Sequence, residues 1–169
     1  MTKTRRILAL LLAVFCVILM NSCGKRVQGI VGMLEAARAN IPSSAAKNGE
    51  LNLCAIVTED NRRLAWFKVG TEIGGYQYFP IEFERIEDTE YKFIRAYSVV
   101  ISRCENTAIL DWNDKYQFII DNRECKTLRI IQTDGSTKNI SVDKYPFTYG
   151  HTTTSIAEYY FLDEKGNEI

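Results

Sequence analysis

From residue 51 onward the chain runs in short segments of alternating apolar and polar side chains, the period-two signature of strands with one buried face. The clearest spans 91–101, where Tyr91, Phe93, Tyr97, Val99 and Ile101 share a face and only Arg95 interrupts the pattern. Further strands are predicted over 51–58, 64–69, 76–86, 107–110, 116–120, 127–132, 137–142 and 156–162. Turn-forming chemistry separates them, as in Glu59-Asp60-Asn61, Glu87-Asp88-Thr89, Asp111-Trp112-Asn113-Asp114 and Asp121-Asn122-Arg123. Asp134-Gly135 is the strongest hairpin signal and predicts a type I′ turn, whose positive φ those residues tolerate. Gaps this short favour antiparallel neighbours, because a parallel crossover takes about a dozen residues or more.

Upstream the period changes. Val27, Ile30, Val31, Leu34 and Ala37 recur at three- and four-residue steps, which predicts an amphipathic helix over 25–40 with those residues on its apolar face. Pro42 ends it, and residues 42–49 read as a short linker of breaker and small residues. The expected fold class is α+β, mainly β: an antiparallel meander sheet, or a small sandwich or barrel, with one N-terminal amphipathic helix.

The first 23 residues follow a different logic. Lys3, Arg5 and Arg6 precede an unbroken apolar run over 7–20, and Asn21-Ser22-Cys23 follows. The run has 14 residues, which as a helix reach roughly 21 Å, short of the ~30 Å hydrocarbon core a spanning helix must cross. An export signal is the better reading. Leu19-Met20-Asn21-Ser22-Cys23 resembles the lipobox of bacterial lipoproteins, in which a small residue precedes a cysteine that is lipid-modified and becomes the new N-terminus. The resemblance covers only this leader, and Met20 departs from the usual Leu. It implies a lipid anchor on Cys23 and attachment to a membrane surface, durable where more than one acyl chain is present. Gly24-Lys25-Arg26 lacks the Asp that retains some lipoproteins at the inner membrane, and lacks the acidic cluster that directs others to the cell surface. By resemblance the expected place is the cell envelope, at the periplasmic face of the outer membrane. The expected organisation is a signal over 1–22, an anchor cysteine with short helix and linker over 23–49, and one β-rich domain over 50–169.

Loss of residues 1–22 removes three of the 21 basic side chains and none of the 21 acidic ones, leaving a formal charge of about −3. No nucleic-acid partner is expected from that balance. The remaining 147 residues suit a single domain, and seven Phe, nine Tyr and two Trp can fill its core. Besides Cys23 there are Cys54, Cys104 and Cys125. Export permits disulfides; Cys104 at a strand end and Cys125 after a turn are the candidates to bridge, while Cys54 lies within an apolar strand and is expected to be core.

Signatures of catalysis are missing: there is no His-Glu-x-x-His, no Cys-x-x-Cys, no phosphate loop and no Gly-x-Ser-x-Gly. No metal and no cofactor are expected. His151, the one histidine, is a weak catalytic candidate that needs a carboxylate on one ring nitrogen and a nucleophile at the other. Asp111, Asn113 and Asp114 are expected to cap a turn rather than hold calcium. Glu82 and Glu84 alternate with Ile81 and Phe83 and are expected on the wet face of a half-buried strand.

Two aromatic segments are the best ligand-contact candidates. Tyr76, Tyr78 and Phe79 follow Gly74-Gly75, and Tyr145, Phe147 and Tyr149 flank Pro146 and precede Gly150-His151. Aromatics on Gly- and Pro-shaped segments make a rigid contact surface for a protein or a glycan. The leading expectation is a lipid-anchored envelope protein whose non-catalytic domain binds such a partner. The alternatives are a small periplasmic hydrolase using His151, and a membrane-anchored inhibitor or immunity protein.

Overall fold

Three antiparallel sheets and one helix are stacked in four layers. The structure is a computed structural model and describes residues 25–46, 49–71, 74–101 and 104–169. In chain order the elements are β1 (Arg26–Gln28), α1 (Gly29–Asn40), the short helix α2 (Ser43–Ala46), β2 (Asn52–Glu59), β3 (Arg62–Thr71), β4 (Gly75–Arg85), β5 (Glu90–Ala96), β6 (Val100–Ile101), β7 (Thr107–Trp112), β8 (Lys115–Ile120), β9 (Thr127–Gln132), β10 (Thr137–Ser141), β11 (Phe147–Thr152) and β12 (Ile156–Leu162). A single 3₁₀ turn, Thr153–Ser155, precedes β12.

The first sheet has the order β1-β5-β4-β3-β2, the second β11-β8-β7-β6 and the third β10-β9-β12. All are open, so the barrel alternative falls away and stacked sheets remain. Residue parity shows how they stack. Ala65, Phe67, Val69, Ile81 and Phe83 face helix α1 and pack with Met33, Ala36 and Ala37. Leu64, Trp66 and Tyr78, on the other face of the same strands, pack with Ala108, Leu110, Trp112 and Ile119 of the second sheet. That sheet turns Ile109, Phe118 and Ile120 away, toward Leu128, Ile130 and Phe161 of the third. A sheet covered on both faces has no wet positions to alternate with. This is why β7 and β8 carry the unbroken runs Ala108-Ile109-Leu110 and Phe118-Ile119-Ile120.

The helix begins later than its periodicity predicts, and of the expected face Val27 and Ala37 are buried and Leu34 packs against the core, while Ile30 and Val31 stay outside. Residues 26–28 form β1 against Glu90, Tyr91 and Lys92 of β5. Met33, Ala36 and Ala37 are the buried helical residues, while Ile30 and Val31 are 59% and 71% exposed. Small Ala36 and Ala37 let the helix approach the sheet closely, and the bulkier stripe is left outside. Strand β1 and helix α1 thus pair with and pack against the first sheet. The sequence 42–49, expected as linker, holds helix α2 and the buried Ala45.

The 91–101 strand is two strands. β5 ends at Ala96, and after 97–99 the chain resumes as β6 in the second sheet, with Val100 opposite Ile109. β11, whose Gly150, His151 and flanking threonines carry no apolar alternation, pairs with β8 along its length. The Asp134-Gly135 hairpin forms, but with a different turn. Only Gly135 has positive φ, at 81°, and its N–H donates to Gln132 O at 2.9 Å. That is a type I turn closed by a left-handed glycine. The two-residue positive-φ turn lies instead at Asn113-Asp114, with φ of 52° and 57°, joining β7 to β8.

Candidate functional site

The departure of β5 from β4 opens a groove. β5 pairs with β4 only from Ile81 to Arg85, whereas β3 pairs with β4 from Gly75 onward. Residues 75–80 of β4 therefore project past the end of β5. The backbone of this stretch shows which way its polar groups point. Tyr76 N–H donates to Asn106 Oδ1 at 3.0 Å, and Pro80 C=O accepts from Tyr97 N–H at 2.9 Å. Even-numbered residues thus aim their peptide groups away from β3. Tyr78, between them, turns its N–H and C=O to the same side, and among the described residues no strand pairs with it there.

A groove of about 620 Å³ wraps this edge, lined from β4 by Tyr76, Gln77, Tyr78, Phe79 and Ile81. Its other walls are Asn40, Ile41 and Pro42 at the end of α1, the 96–99 crossover, and Thr107 and Ala108 of β7. Tyr78 is only 4% exposed; its ring meets Trp66 edge-on at 6.5 Å and its hydroxyl donates to Asn106 O at 3.1 Å. Burial drives its pKa far above the ordinary phenol range, so it stays a neutral donor. Tyr76 is less covered, with Lys68 Nζ 3.9 Å from its ring centre while that ammonium is ion-paired with Asp121. Gln77 and Ser98 are exposed polar groups along the groove. The combination is apolar walls, a few polar side chains and, at Tyr78, a point on the edge of β4 that no described strand pairs.

Glu82 fixes the branch point. It is 3% exposed, where alternation predicts the wet face, because the second sheet covers that side of β4. Its carboxylate accepts from Arg62 Nη1 at 2.9 Å, Arg95 Nε at 3.3 Å and the Tyr97 hydroxyl at 2.6 Å. Burial alone would raise its pKa. The Tyr97 hydrogen bond and the Arg62 and Arg95 contacts outweigh burial and hold the carboxyl below its ordinary value. The Trp112 indole N–H acts in the same direction without closing a hydrogen bond. Burial, and next the same carboxylate, push Tyr97 up to about 12. The sequence signal for this cluster is Arg95, the one charged side chain interrupting the 91–101 pattern.

The second aromatic segment lies elsewhere. Tyr145, Phe147 and Tyr149 pack against the core between the second and third sheets. The Tyr145 hydroxyl donates to Cys125 O, and Lys126 Nζ lies 5.3 Å from its ring. The structure therefore brings Tyr76, Tyr78 and Phe79 into one groove and does not bring Tyr145, Phe147 and Tyr149 to it.

His151 sits on β11 opposite Tyr116. Its ring stacks on Tyr149 at 6.0 Å, and Nδ1 lies 3.2 Å from the Tyr149 hydroxyl. Nε2 is buried with no hydrogen-bond partner among the described residues. Burial, then the charge of Lys138, lowers its pKa, so the ring is neutral at pH 7. Neither a carboxylate nor a Ser or Cys nucleophile contacts it among those residues, so the parts of an acid–base relay are not assembled there.

Cys104 and Cys125 lie buried in the same core cluster, and no bond joins them. Burial pushes the Cys125 thiol up to about 11 and that of Cys54 up to about 12. Cys23 lies outside the described residues. Among those described, no three His, Cys, Asp or Glu side chains gather as metal ligands, and no helix is long and apolar enough to cross a membrane.

Comparison with protein-family models, with curated proteins and with solved structures finds no match to this chain.

Proposed function

We propose that this is a lipid-anchored envelope protein whose β domain binds a protein partner in the groove along β4. The observation that carries the reading is the edge of β4 beyond the end of β5, lying inside an aromatic-walled groove. A strand edge offers donors and acceptors at fixed spacing, which an extended polypeptide matches and a sugar ring does not. The apolar walls of Tyr76, Phe79, Ile41 and Val99 then take side chains from either face of the added strand. This favours a protein over a glycan. The anchor rests on the lipobox-like sequence ending at Cys23, which suits a binding module held at a membrane surface.

The test is photo-crosslinking in cells from Gln77, exposed on the groove side of β4, against the same probe at Tyr149 on the second aromatic segment. The reading expects a reproducible protein adduct from position 77 that is lost with Tyr76→Ala and absent from position 149. Equal adducts from both positions, or none from 77, remove the groove from the account.

A further inference from the structure

We infer that the exposed apolar stripe of helix α1, formed by Ile30, Val31 and the half-buried Leu34, lies against the lipid surface to which Cys23 is anchored. The inference rests on the anchor reading above.

Of the apolar pattern Val27, Ile30, Val31, Leu34 and Ala37, the domain buries Val27 and Ala37 and packs one side of Leu34, but leaves Ile30 and Val31 outside. Met33, Ala36 and Ala37 occupy the sheet side instead, and at 100° per residue the outer stripe is turned from them by roughly a third of a turn. Among the described residues Ile30 and Val31 are the two most exposed large hydrophobics, and they sit together in the first turn of the helix. Burial of such a pair is favourable, and the folded domain by itself leaves more than half of it unrealised.

The occupant follows from the chain's connectivity. Lys25, the first residue described before β1, is two residues from Cys23, a reach of about 7 Å. Antiparallel pairing of β1 with β5 fixes Arg26 and Gln28, and Gly29 N–H donates to Thr89 O at 2.7 Å. The helix therefore starts rigidly within a few residues of the anchor, and its first turn cannot be far from whatever holds the acyl chains. Exposed Lys25 before the stripe and Arg38 one turn beyond Leu34 place long cationic side chains at both ends of the apolar strip. Such side chains run along an apolar surface and carry their charge to the headgroups. Glu35 lies to the side of the stripe.

The experiment uses the full chain expressed in bacteria, purified with its native modification and reconstituted into phosphatidylethanolamine and phosphatidylglycerol vesicles containing brominated lipid. Trp66 and Trp112 are 0% and 2% exposed, so the native indoles stay dark to the quencher. Reporters are introduced singly as Val31→Trp, Ile30→Trp and Ile56→Trp. Ile56 is also exposed, but on β2, at the far edge of the sheet from β1. The inference expects several-fold stronger quenching at positions 30 and 31 than at 56, with a blue-shifted emission. Equal quenching at 31 and 56 in protein that floats with the vesicles overturns the contact and leaves the anchor reading intact. Protein that does not float, and whose Cys23 carries no acyl chain by mass, overturns the anchor reading and the contact together. A Val31→Trp signal that is already blue-shifted in detergent and indifferent to brominated lipid assigns the stripe to another segment of this chain or to a second copy.

Discussion

The Tyr97 hydroxyl donates a 2.6 Å hydrogen bond to Oε2 of Glu82, two residues past the register pair of Glu82 with Arg95. This contact ties the start of the crossover to β4 where β5 leaves it, and so sets one end of the groove. Replacement by Phe keeps the ring, with the Arg95 guanidinium stacked 4.4 Å above it, and removes only the bond. Tyr97→Phe is expected to lower stability by about 2 kcal/mol, the scale of a hydrogen bond to a charged group. Urea unfolding measures the loss. Amide exchange is expected to rise at residues 97–99 before it rises in β7 or β8.

Glu82 also makes stability depend on acid. Its folded-state pKa lies below the ordinary value of 4.5, so the folded state binds fewer protons than the unfolded chain. The contribution is fully present above pH 4.5 and is lost as pH falls through the depressed folded value. Glu82→Gln cannot titrate and is expected to be less stable than the parent at neutral pH, with a shallower fall of stability below pH 4.5. Thermal unfolding of both proteins across that range checks it. Parallel acid limbs would place the titration elsewhere.

Much of the β architecture was legible from alternation alone. Residues 127–132 were predicted as a strand and form β9 end to end. Three features were not legible, each for a physical reason. β1 has three residues, and its partner β5 lies more than 60 residues away, so no local pattern announces it. The helix has two overlapping apolar faces that share Ala37, and periodicity takes in Ile30 and Val31 where the sheet accepts Met33 and Ala36. Glu82 alternates like a wet-face residue, and the second sheet that covers it is set by tertiary packing. Of the site, Tyr76, Tyr78 and Phe79 were named from sequence, whereas the groove required the sheet change after Ala96. Arg95 marked that change without explaining it.

Gly70 lies in β3 at φ 130°, a conformation side chains rarely adopt, and a Cβ there would stand 2.2 Å from Gly75 O across the hairpin. Backbone atoms cannot yield as a flexible side chain does. Gly70→Ala is expected to destabilise the domain by about 2 kcal/mol or more, and to loosen the Gly75–Tyr76 end of the groove. Denaturant titration gives the first effect, and faster amide exchange at Tyr76 the second.

The thiols of buried Cys125 and half-buried Cys54 are expected to be chemically quiet. With pKa values near 11 for Cys125 and 12 for Cys54, at most about one in a thousand of either is thiolate at pH 8. Alkylation by iodoacetamide in native buffer is therefore expected to be slow at both and to become rapid in urea. Mass spectrometry of the digested protein counts the sites, and rapid native labelling of Cys125 would contradict its placement in the core.

The central claim is that the open edge of β4 receives an extended segment of another protein. The most direct measurement is residue-resolved photo-crosslinking in living cells from Gln77 and Ser98, one on each side of the gap in the sheet. Both probes are expected to capture one short continuous segment of the same envelope protein, with linked positions advancing by a strand rise of ~3.3 Å per residue. Links scattered over several proteins, adducts to glycan alone, or capture that survives Tyr76→Ala would contradict it.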